Sequence, residues 1–343
     1  MNLNRALGLM LIVSGVFFGL AKNLGGETPR GDWTIHRSDE PGKVEFSLMD
    51  SRAGRHFHYS SDWPASEFAG LDLSKTGRQE VHFTISRDAG KFECEGFLQD
   101  GEGAGLFHFL ADPKYLQEMS SVGFGNIDSD KQLAMAIHDV SLKFAREMTS
   151  ENLRGLDTDK LIAFRIHGVT REFIEALRAA GLNESESDKL IAFRIHGVSP
   201  AFVADIRSAG LNITDSDKLI AFRIHGVTPE MIRSLRQAGY TPDADKLIAM
   251  RIHGATPEWL EQLKKEGYEH VDLDKLIAFR IHGVSPDFIG EIQKLGYKHP
   301  EPDELVAMRI HGVTAEFISG LQARGMKNLT IDQLVSLRIH GID

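Results

Sequence analysis

The sequence is poor in cysteine and has no excess of positive charge, and each shortage excludes a class of protein. Cys94 is the only cysteine among 343 residues, so no intrachain disulfide and no metal site built from several cysteines can form. Its place in an alternating strand pattern, without visible triad partners, favours a small buried residue over a nucleophile. Lysine and arginine number 39 against 49 acidic residues, a net charge of −10. This balance argues against a general nucleic-acid-binding protein.

The apolar N-terminal stretch falls short of the roughly 20 residues that a membrane-spanning helix needs. It runs for sixteen residues, from Ala6 to Ala21, and follows Arg5. We predict that residues 1–25 form a signal peptide or a membrane anchor, with cleaved and uncleaved forms both open. An ordinary buried helix is the weaker interpretation. The protein is then periplasmic or otherwise extracytoplasmic, and an uncleaved segment would anchor it to the inner membrane through residues 6–21.

Apolar and polar residues alternate with a period of two in segments between Trp33 and Asp112. Alternating apolar and polar residues bounded by turn residues, such as Asp100-Gly101, predict short strands with one buried face. The alternating segments are 43–49, 56–59, 79–85, 92–97 and 106–109. We therefore predict an antiparallel β domain, arranged as a meander, over residues 31–112.

Two features of this β segment resemble binding motifs. The glycine-rich run Gly101–Gly105 lies between two predicted strands and is followed by no lysine, whereas a phosphate-binding loop opens a helix. Glycines that allow turns and close strand approach are the better interpretation. Four histidines lack the carboxylates of a metal motif and are interpreted as exposed strand residues: His56, His58, His82 and His108.

An eleven-residue phrase recurs throughout the second half of the chain. It reads Asp-Lys-Leu-Ile-Ala-Phe-Arg-Ile-His-Gly-Val at its first full occurrence, and copies follow every 29 residues with a single spacing of 28. The copies begin at Asp159, Asp188, Asp217, Asp245, Asp274, Asp303 and Asp332. A degraded copy at Asp130 predicts a linker and N-terminal capping repeat over residues 113–155. Residues 156–343 are then about seven repeats.

Each repeat predicts two short helices. The first begins at a capping residue near Thr158, Ser187 or Thr330, runs through the phrase and ends at its glycine. A following Thr-Pro-Glu, as at Thr228, begins the second. The first helix is apolar almost all round, so neighbouring repeats must stack to bury it. The predicted fold class is therefore α+β: the N-terminal segment, a small antiparallel β domain and an α-solenoid.

The repeated Arg and His lie in the last turn of the first helix. Stacked helices are about 8–10 Å apart, which is too far for histidines of successive repeats to share a zinc ion. A structural role is favoured, with the cations binding free carbonyl groups at the helix end. We also expect each Arg to reach a repeated Asp of the same or the next repeat.

A candidate interaction site lies on the second helices. Cations that follow a core Leu or Ile would form a stripe for an acidic partner, although a solvated helix face is the simpler interpretation. This basic stripe consists of Arg178, Arg207, Arg236 and Lys264.

The repeat phrase, followed by Thr-Pro-Glu-Met-Ile and Ala-Gly-Tyr, resembles a repeat of bacterial envelope proteins. It is similar to the tails of some membrane metalloproteases of the beta-lactam-sensing type, and the segment from Phe92 to Phe107 resembles one that accompanies those repeats. The resemblance covers residues 86–343 and implies an envelope location and a sensing pathway. The zinc motif His-Glu-x-x-His of those proteases is absent here, so no catalytic residue carries over.

These patterns predict a non-catalytic scaffold that binds a protein partner through its repeats. We expect no enzyme activity, no cofactor and no nucleic-acid partner. The alternative is a sensory or regulatory subunit of a membrane signalling system, in which the β domain binds a ligand. A pocket in the β domain would distinguish the two hypotheses.

Overall fold

The computed structural model describes residues 29–50 and 57–342. The predicted signal peptide or anchor, with its proposed membrane association through residues 6–21, lies outside the described residues. Among the residues that are described, no helix is both long and apolar enough to cross a bilayer. The chain divides into two compact units, one up to Ile166 and one from His167 onward.

The first unit is built on an antiparallel sheet of six strands within the described residues. The strands are β1 (Arg30–Arg37), β2 (Lys43–Asp50), β3 (Phe57–Pro64), β4 (Arg78–Arg87), β5 (Gly90–Gln99) and β6 (Glu102–Ala111). Four helices follow: α1 (Pro113–Ser121), α2 (Ser129–Ile137), α3 (Leu142–Ser150) and α4 (Thr158–His167), whose last residue begins the second unit. A sheet followed by helices in series confirms the α+β layout.

The strand order departs from the simple meander that was predicted. It is β3-β2-β1-β6-β5-β4, so two three-stranded meanders join where β1 pairs with β6. Glycine makes this junction possible, because Trp33 lies opposite Gly105 and its indole Nε1 donates to the carbonyl of Glu95, 3.1 Å away. A Cβ at Gly96 would lie 2.8 Å from the indole ring. Gly103 and Gly105 thus lie within β6 rather than between two strands, whereas their role in close strand approach is as predicted.

Aromatic side chains form the core of the first unit. Trp33 of β1 meets Phe83 of β4 edge to face at 5.0 Å, although two strands separate β1 from β4 in the sheet. Trp63 of β3 lies 6.4 Å from Phe92 of β5. The sheet therefore curls around its apolar face. Cys94 lies in this core at 3% exposure, and burial raises the pKa of its thiol.

Twelve further helices of the described chain make up the second unit. They are α5 (Arg171–Ala179), α6 (Ser187–His196), α7 (Pro200–Ser208), α8 (Ser216–His225), α9 (Pro229–Gln237), α10 (Ala244–His253), α11 (Pro257–Lys265), α12 (Leu273–His282), α13 (Pro286–Lys294), α14 (Pro302–Ile310), α15 (Ala315–Ala323) and α16 (Ile331–Ile339).

These helices pack in two rows. In the first-helix row, α6, α8, α10, α12, α14 and α16 each contact the next. In the second-helix row, α5 contacts α7, α7 contacts α9, α9 contacts α11 and α13 contacts α15. Leu219 and Phe222 of α8 and Ile232 and Leu235 of α9 are completely buried. This arrangement fits the α-solenoid that the repeat predicts.

Local signals in each repeat set the helix ends. Thr228 accepts a hydrogen bond from the amide of Met231 with Pro229 at the first helical position, as predicted. Gly226 ends α8 in the left-handed region at φ 70°. The first helices begin differently from the prediction, because Ser187 is a buried helical residue and the cap lies one position earlier, at Glu186. At α16 the predicted cap Thr330 is confirmed.

Candidate interaction surface

Each first helix presents an isoleucine to solvent. Leu219 and Phe222 of α8 face the core, and Ile224 lies about 200° around the helix from Phe222, so it points away from the core and is 51% exposed. The equivalent residues of the second unit are 44–58% exposed. This isoleucine ladder consists of Ile195, Ile224, Ile252, Ile281, Ile310 and Ile339.

The ladder belongs to a wider apolar band. One turn earlier on the same helix face, Ile220 and Ala221 of α8 are only half-buried, and the phrase repeats them in nearly every copy. Soluble proteins seldom expose a large contiguous apolar patch unless something binds there. The band therefore marks the first-helix row as a candidate interaction surface.

An arginine precedes every isoleucine of the ladder and connects successive repeats. The Nε of Arg223 donates to the carbonyl of His196 at 3.3 Å, and its guanidinium lies 5.0 Å from the ring centre of Phe202. Arg280 makes the same two contacts, with His253 at 3.0 Å and Trp259 at 5.3 Å. Both partners belong to the preceding repeat, so the predicted bonding to free helix-end carbonyls is confirmed for these arginines. We call Arg194, Arg223, Arg251, Arg280 and Arg309 the arginine ladder. Arg309 has the ring contact, with Phe288 at 5.0 Å, but its Nε has no hydrogen-bond partner in the described chain.

The expectation that these arginines reach a repeated aspartate is wrong. The aspartates pair instead with lysines of the preceding repeat, as Asp245 does with Lys218, and this hydrogen bond raises the pKa of Lys218. Asp217 and Arg223 stand six residues apart on α8, which separates them by about 9 Å along the helix axis. The other pairs are Lys189–Asp217, Lys246–Asp274 and Lys275–Asp303.

Arg165 occupies the same position of the phrase but is not part of the ladder, and it has a carboxylate partner. Arg165 donates from Nε to the carbonyl of His138 at 3.1 Å and from Nη2 to Asp139 at 2.7 Å. Asp139 occupies the position at which the later repeats have glycine. A Cβ added to Gly197 would lie 3.0 Å from Nη2 of Arg223. The degraded repeat thus carries an acidic ligand for the guanidinium of the following repeat, and the later repeats carry a glycine there.

The basic stripe lies on the second-helix row. Arg178, Arg207, Arg236 and Lys264 are all exposed, on α5, α7, α9 and α11. Arg207 donates to the carbonyl of Gly181 at 3.2 Å, and Arg236 to that of Gly210 at 2.7 Å. These bonds give the stripe a structural role between repeats. Whether it also binds an acidic partner stays a prediction.

An open groove of about 450 Å³ lies where the repeat is one residue shorter. It is lined by residues of α9 and α11, among them Lys264 of the basic stripe. At the equivalent position of the next repeat, Gln293 donates to the carbonyl of Glu266 at 2.9 Å. The groove is otherwise lined by polar and aromatic residues such as Tyr240, Glu258, Glu261, Tyr268 and His270.

The predicted strand histidines do not cluster. His58, His82 and His108 are exposed, while His56 lies outside the described residues. No group of three or more His, Cys, Asp or Glu side chains in the described chain is arranged to hold a metal ion.

Sequence reasoning missed the isoleucine ladder, although a signal for it was present. The phrase places an isoleucine two residues after the buried phenylalanine, and a helical wheel puts that position outside the core stripe. The first helix is apolar on almost all sides, and this pattern predicts that other parts of the protein cover the helix on several sides.

Comparison with known proteins supplies no assignment. No model of a known protein family matches the chain, and no curated protein matches it at a significant level. Function must therefore be inferred from the repeats and their exposed groups.

Proposed function

We propose that this chain is a non-catalytic interaction scaffold of the bacterial envelope and that a protein partner binds along its first-helix row. The exposed isoleucine ladder carries this proposal. Full burial of an isoleucine contributes about 1.5–3 kcal/mol, so covering several half-exposed copies would yield several kcal/mol. An α-solenoid suits this role because it presents one side chain many times along an extended surface.

A covered copy of the same position supports the proposal. Ile137 of the degraded repeat is 3% exposed, and its helix α2 packs against β5 and β6. The motif is therefore compatible with protein cover at the isoleucine. The envelope location is supported by the N-terminal segment and by the resemblance of the repeat.

A scaffold needs no reactive group, and an unreactive thiol at Cys94 is consistent with a non-catalytic protein. Cys94 is buried, and its raised pKa disfavours the thiolate that a nucleophile requires.

The sensory alternative has one observation in its favour. The outer face of the sheet exposes Phe97 (48%), Leu106 (50%) and Leu110 (42%), which lie on the neighbouring strands β5 and β6. An apolar ligand or a membrane component would be the class of molecule that such a face binds.

Affinity capture from envelope extracts tests the scaffold with three variant baits. The ladder variant carries Ile224→Ser, Ile252→Ser and Ile281→Ser, and the sheet variant carries Phe97→Ser, Leu106→Ser and Leu110→Ser as a matched loss of exposed apolar surface. The stripe variant changes Arg178, Arg207, Arg236 and Lys264 to Glu. Circular dichroism checks that each bait folds.

We expect a protein that the wild type and the sheet variant retain and the ladder variant loses. If only the stripe variant loses the partner protein, the interface would lie on the second-helix row. Loss with the sheet variant alone would favour the sensory alternative, and equal recovery by all baits would contradict a partner on any of these surfaces.

A further inference from the structure

The arginine ladder adds a charged edge to the apolar band. In the described chain, Arg194, Arg223 and Arg280 have no carboxylate within ion-pair distance, and each is held by a backbone carbonyl and an aromatic ring of the preceding repeat. Only Nε is used in each of those carbonyl bonds, so the Nη groups keep their donors. A guanidinium fixed in this way is preorganised for a carboxylate.

The degraded repeat identifies the ligand chemistry. There Asp139 supplies a carboxylate to Arg165 at 2.7 Å, while the same guanidinium keeps its bond to the carbonyl of His138. The repeated lysines and aspartates of the second unit pair with one another, so these aspartates are not available to Arg194, Arg223 and Arg280. A partner that complements this surface therefore carries carboxylates beside aliphatic side chains.

We infer that the first-helix row binds an extended acidic segment of a partner protein, with its carboxylates on the arginine ladder and its aliphatic side chains on the isoleucine ladder. This inference rests on the proposed scaffold function and specifies its partner.

The spacing of the repeats favours an extended segment with a period of three. Adjacent packed helices lie about 8–10 Å apart. A polyproline II segment advances about 3.1 Å per residue, hence roughly 9 Å in three residues. One acidic and one aliphatic residue in every three would then meet one arginine and one isoleucine in every repeat.

Fluorescence anisotropy with defined peptides tests the inference on the full chain. The probe is a labelled peptide of about five Glu-Val-Pro units, which spans about five repeats. Matched peptides replace Glu by Gln or Val by Ser. We expect the Glu-Val-Pro peptide to bind at least about tenfold more tightly than either control, because each charge-assisted pair and each buried side chain contributes. Raising the salt concentration should weaken its binding.

Aspartate can be introduced in later repeats at the positions equivalent to Asp139. Its carboxylate would then pair with the ladder guanidinium groups, and no arginine has to be removed. The triple variant Gly168→Asp, Gly197→Asp and Gly254→Asp would supply a carboxylate of the chain itself to Arg194, Arg223 and Arg280. Asp139 adopts φ 52° in the degraded repeat, so aspartate is compatible with this backbone position. The control is the same triple change to Asn, which has the same shape, tolerates the left-handed region and carries no charge.

The Asp variant should bind the Glu-Val-Pro peptide at least about tenfold more weakly than the Asn variant. Equal affinity of the two variants, equal binding of the Glu and Gln peptides by the wild type, or no binding of the Glu peptide would overturn the inference. The comparison of the Glu and Gln peptides uses the wild-type chain, so it tests the inference even if a triple variant misfolds.

Two further outcomes separate this inference from the scaffold proposal. A cellular partner that the ladder variant loses but the Asp variant keeps would overturn the acidic segment and leave the scaffold standing. A dimer, seen by light scattering, that the ladder variant dissociates would assign the surface to a second copy of this chain and overturn the inference as well.

Discussion

Arginine side chains bind helix-end carbonyl groups in both units of this protein. Arg87 of β4 donates to the carbonyls of Ala136 and Ile137 at 3.0 and 2.9 Å, forms an ion pair with Glu67 at 2.7 Å and lies over Trp63. Arg223 makes the corresponding bond to the end of the preceding first helix. The last carbonyls of a helix have no partner within it, and the planar guanidinium offers several donors while it stacks on a ring.

Replacing Arg223 by Lys should lower the free energy of unfolding by about 1–2 kcal/mol, because lysine cannot both stack on Phe202 and donate to the carbonyl of His196. Urea unfolding followed by circular dichroism at 222 nm measures the change. Lys218→Met is the control, since it breaks an exposed ion pair, and its effect should be smaller. A larger effect of Lys218→Met would contradict the structural role of the arginine ladder.

His138 should make the first unit sensitive to acid. Burial, aided by the charges of Arg87 and Arg165, lowers the pKa of His138 from 6.5 to about 4. Between these values the unfolded chain binds a proton that the folded chain does not, so stability falls as the pH falls. The decrease in the free energy of unfolding from about pH 7 to pH 4 should be on the order of 3 kcal/mol larger in the wild type than in His138→Gln.

Tryptophan fluorescence in a Trp259→Phe background measures this effect, because only Trp33 and Trp63 of the first unit then remain. Phenylalanine stands at the position of Trp259 in α5, α7 and α13, so the background change is conservative. The control variant His108→Gln changes an exposed strand histidine. Identical pH profiles for the wild type and His138→Gln would contradict the assignment.

Helices of this protein are short, and their ends are set residue by residue. All twelve described helices of the second unit have nine or ten residues, which is too short for stability in isolation. Threonine or serine caps begin the second helices, and glycines in the left-handed region follow the first helices. Packing of the rows then stabilises helices whose bounds the local sequence has already fixed.

Glycine substitutions should have opposite effects at the end and inside of these helices. Gly226→Ala should destabilise the protein by about 1–2 kcal/mol, because φ 70° is unfavourable for alanine. Gly320 lies within α15 with open space at its Cβ position, so Gly320→Ala should stabilise by about 0.5–1 kcal/mol. Thermal unfolding of both variants measures the sign, and a stabilising Gly226→Ala would contradict the left-handed assignment.

At the scale of the whole molecule, the two units differ in how their contacts are distributed along the chain. The sheet joins β1 to β6 across more than 60 residues, whereas contacts within each helix row of the second unit link each repeat to the next. A repeat array of this kind has a stability close to the sum of its repeats and their interfaces.

Shortening the array should therefore lower stability in similar steps. Chains that end after Val313 and after Val284 lose one and two repeats, and each loss exposes a similar pair, Leu305 with Met308 or Leu276 with Phe279. We expect the urea midpoint at 222 nm to fall with each step while the remaining repeats keep their helical signal per residue. Loss of all helical signal after one deletion would contradict an additive array.

The sequence by itself determined the features that depend on local backbone chemistry. Alternating residues predicted most strands of the sheet, and capping residues with the recurring phrase predicted the paired helices of the repeats. Glycine, proline and threonine act within a few residues of their own position, so their effects can be read without knowing the fold.

The tertiary structure decided what depends on neighbours remote in sequence. Pairing of β1 with β6, the lysine partners of the repeated aspartates and the contacts of Arg87 all join residues that periodicity alone cannot connect. Ile137 and Ile224 occupy the same position of the same phrase, yet the first is 3% and the second 51% exposed. The burial of a side chain is set by the groups that pack against it, and α2 has strands beside it where α8 has solvent.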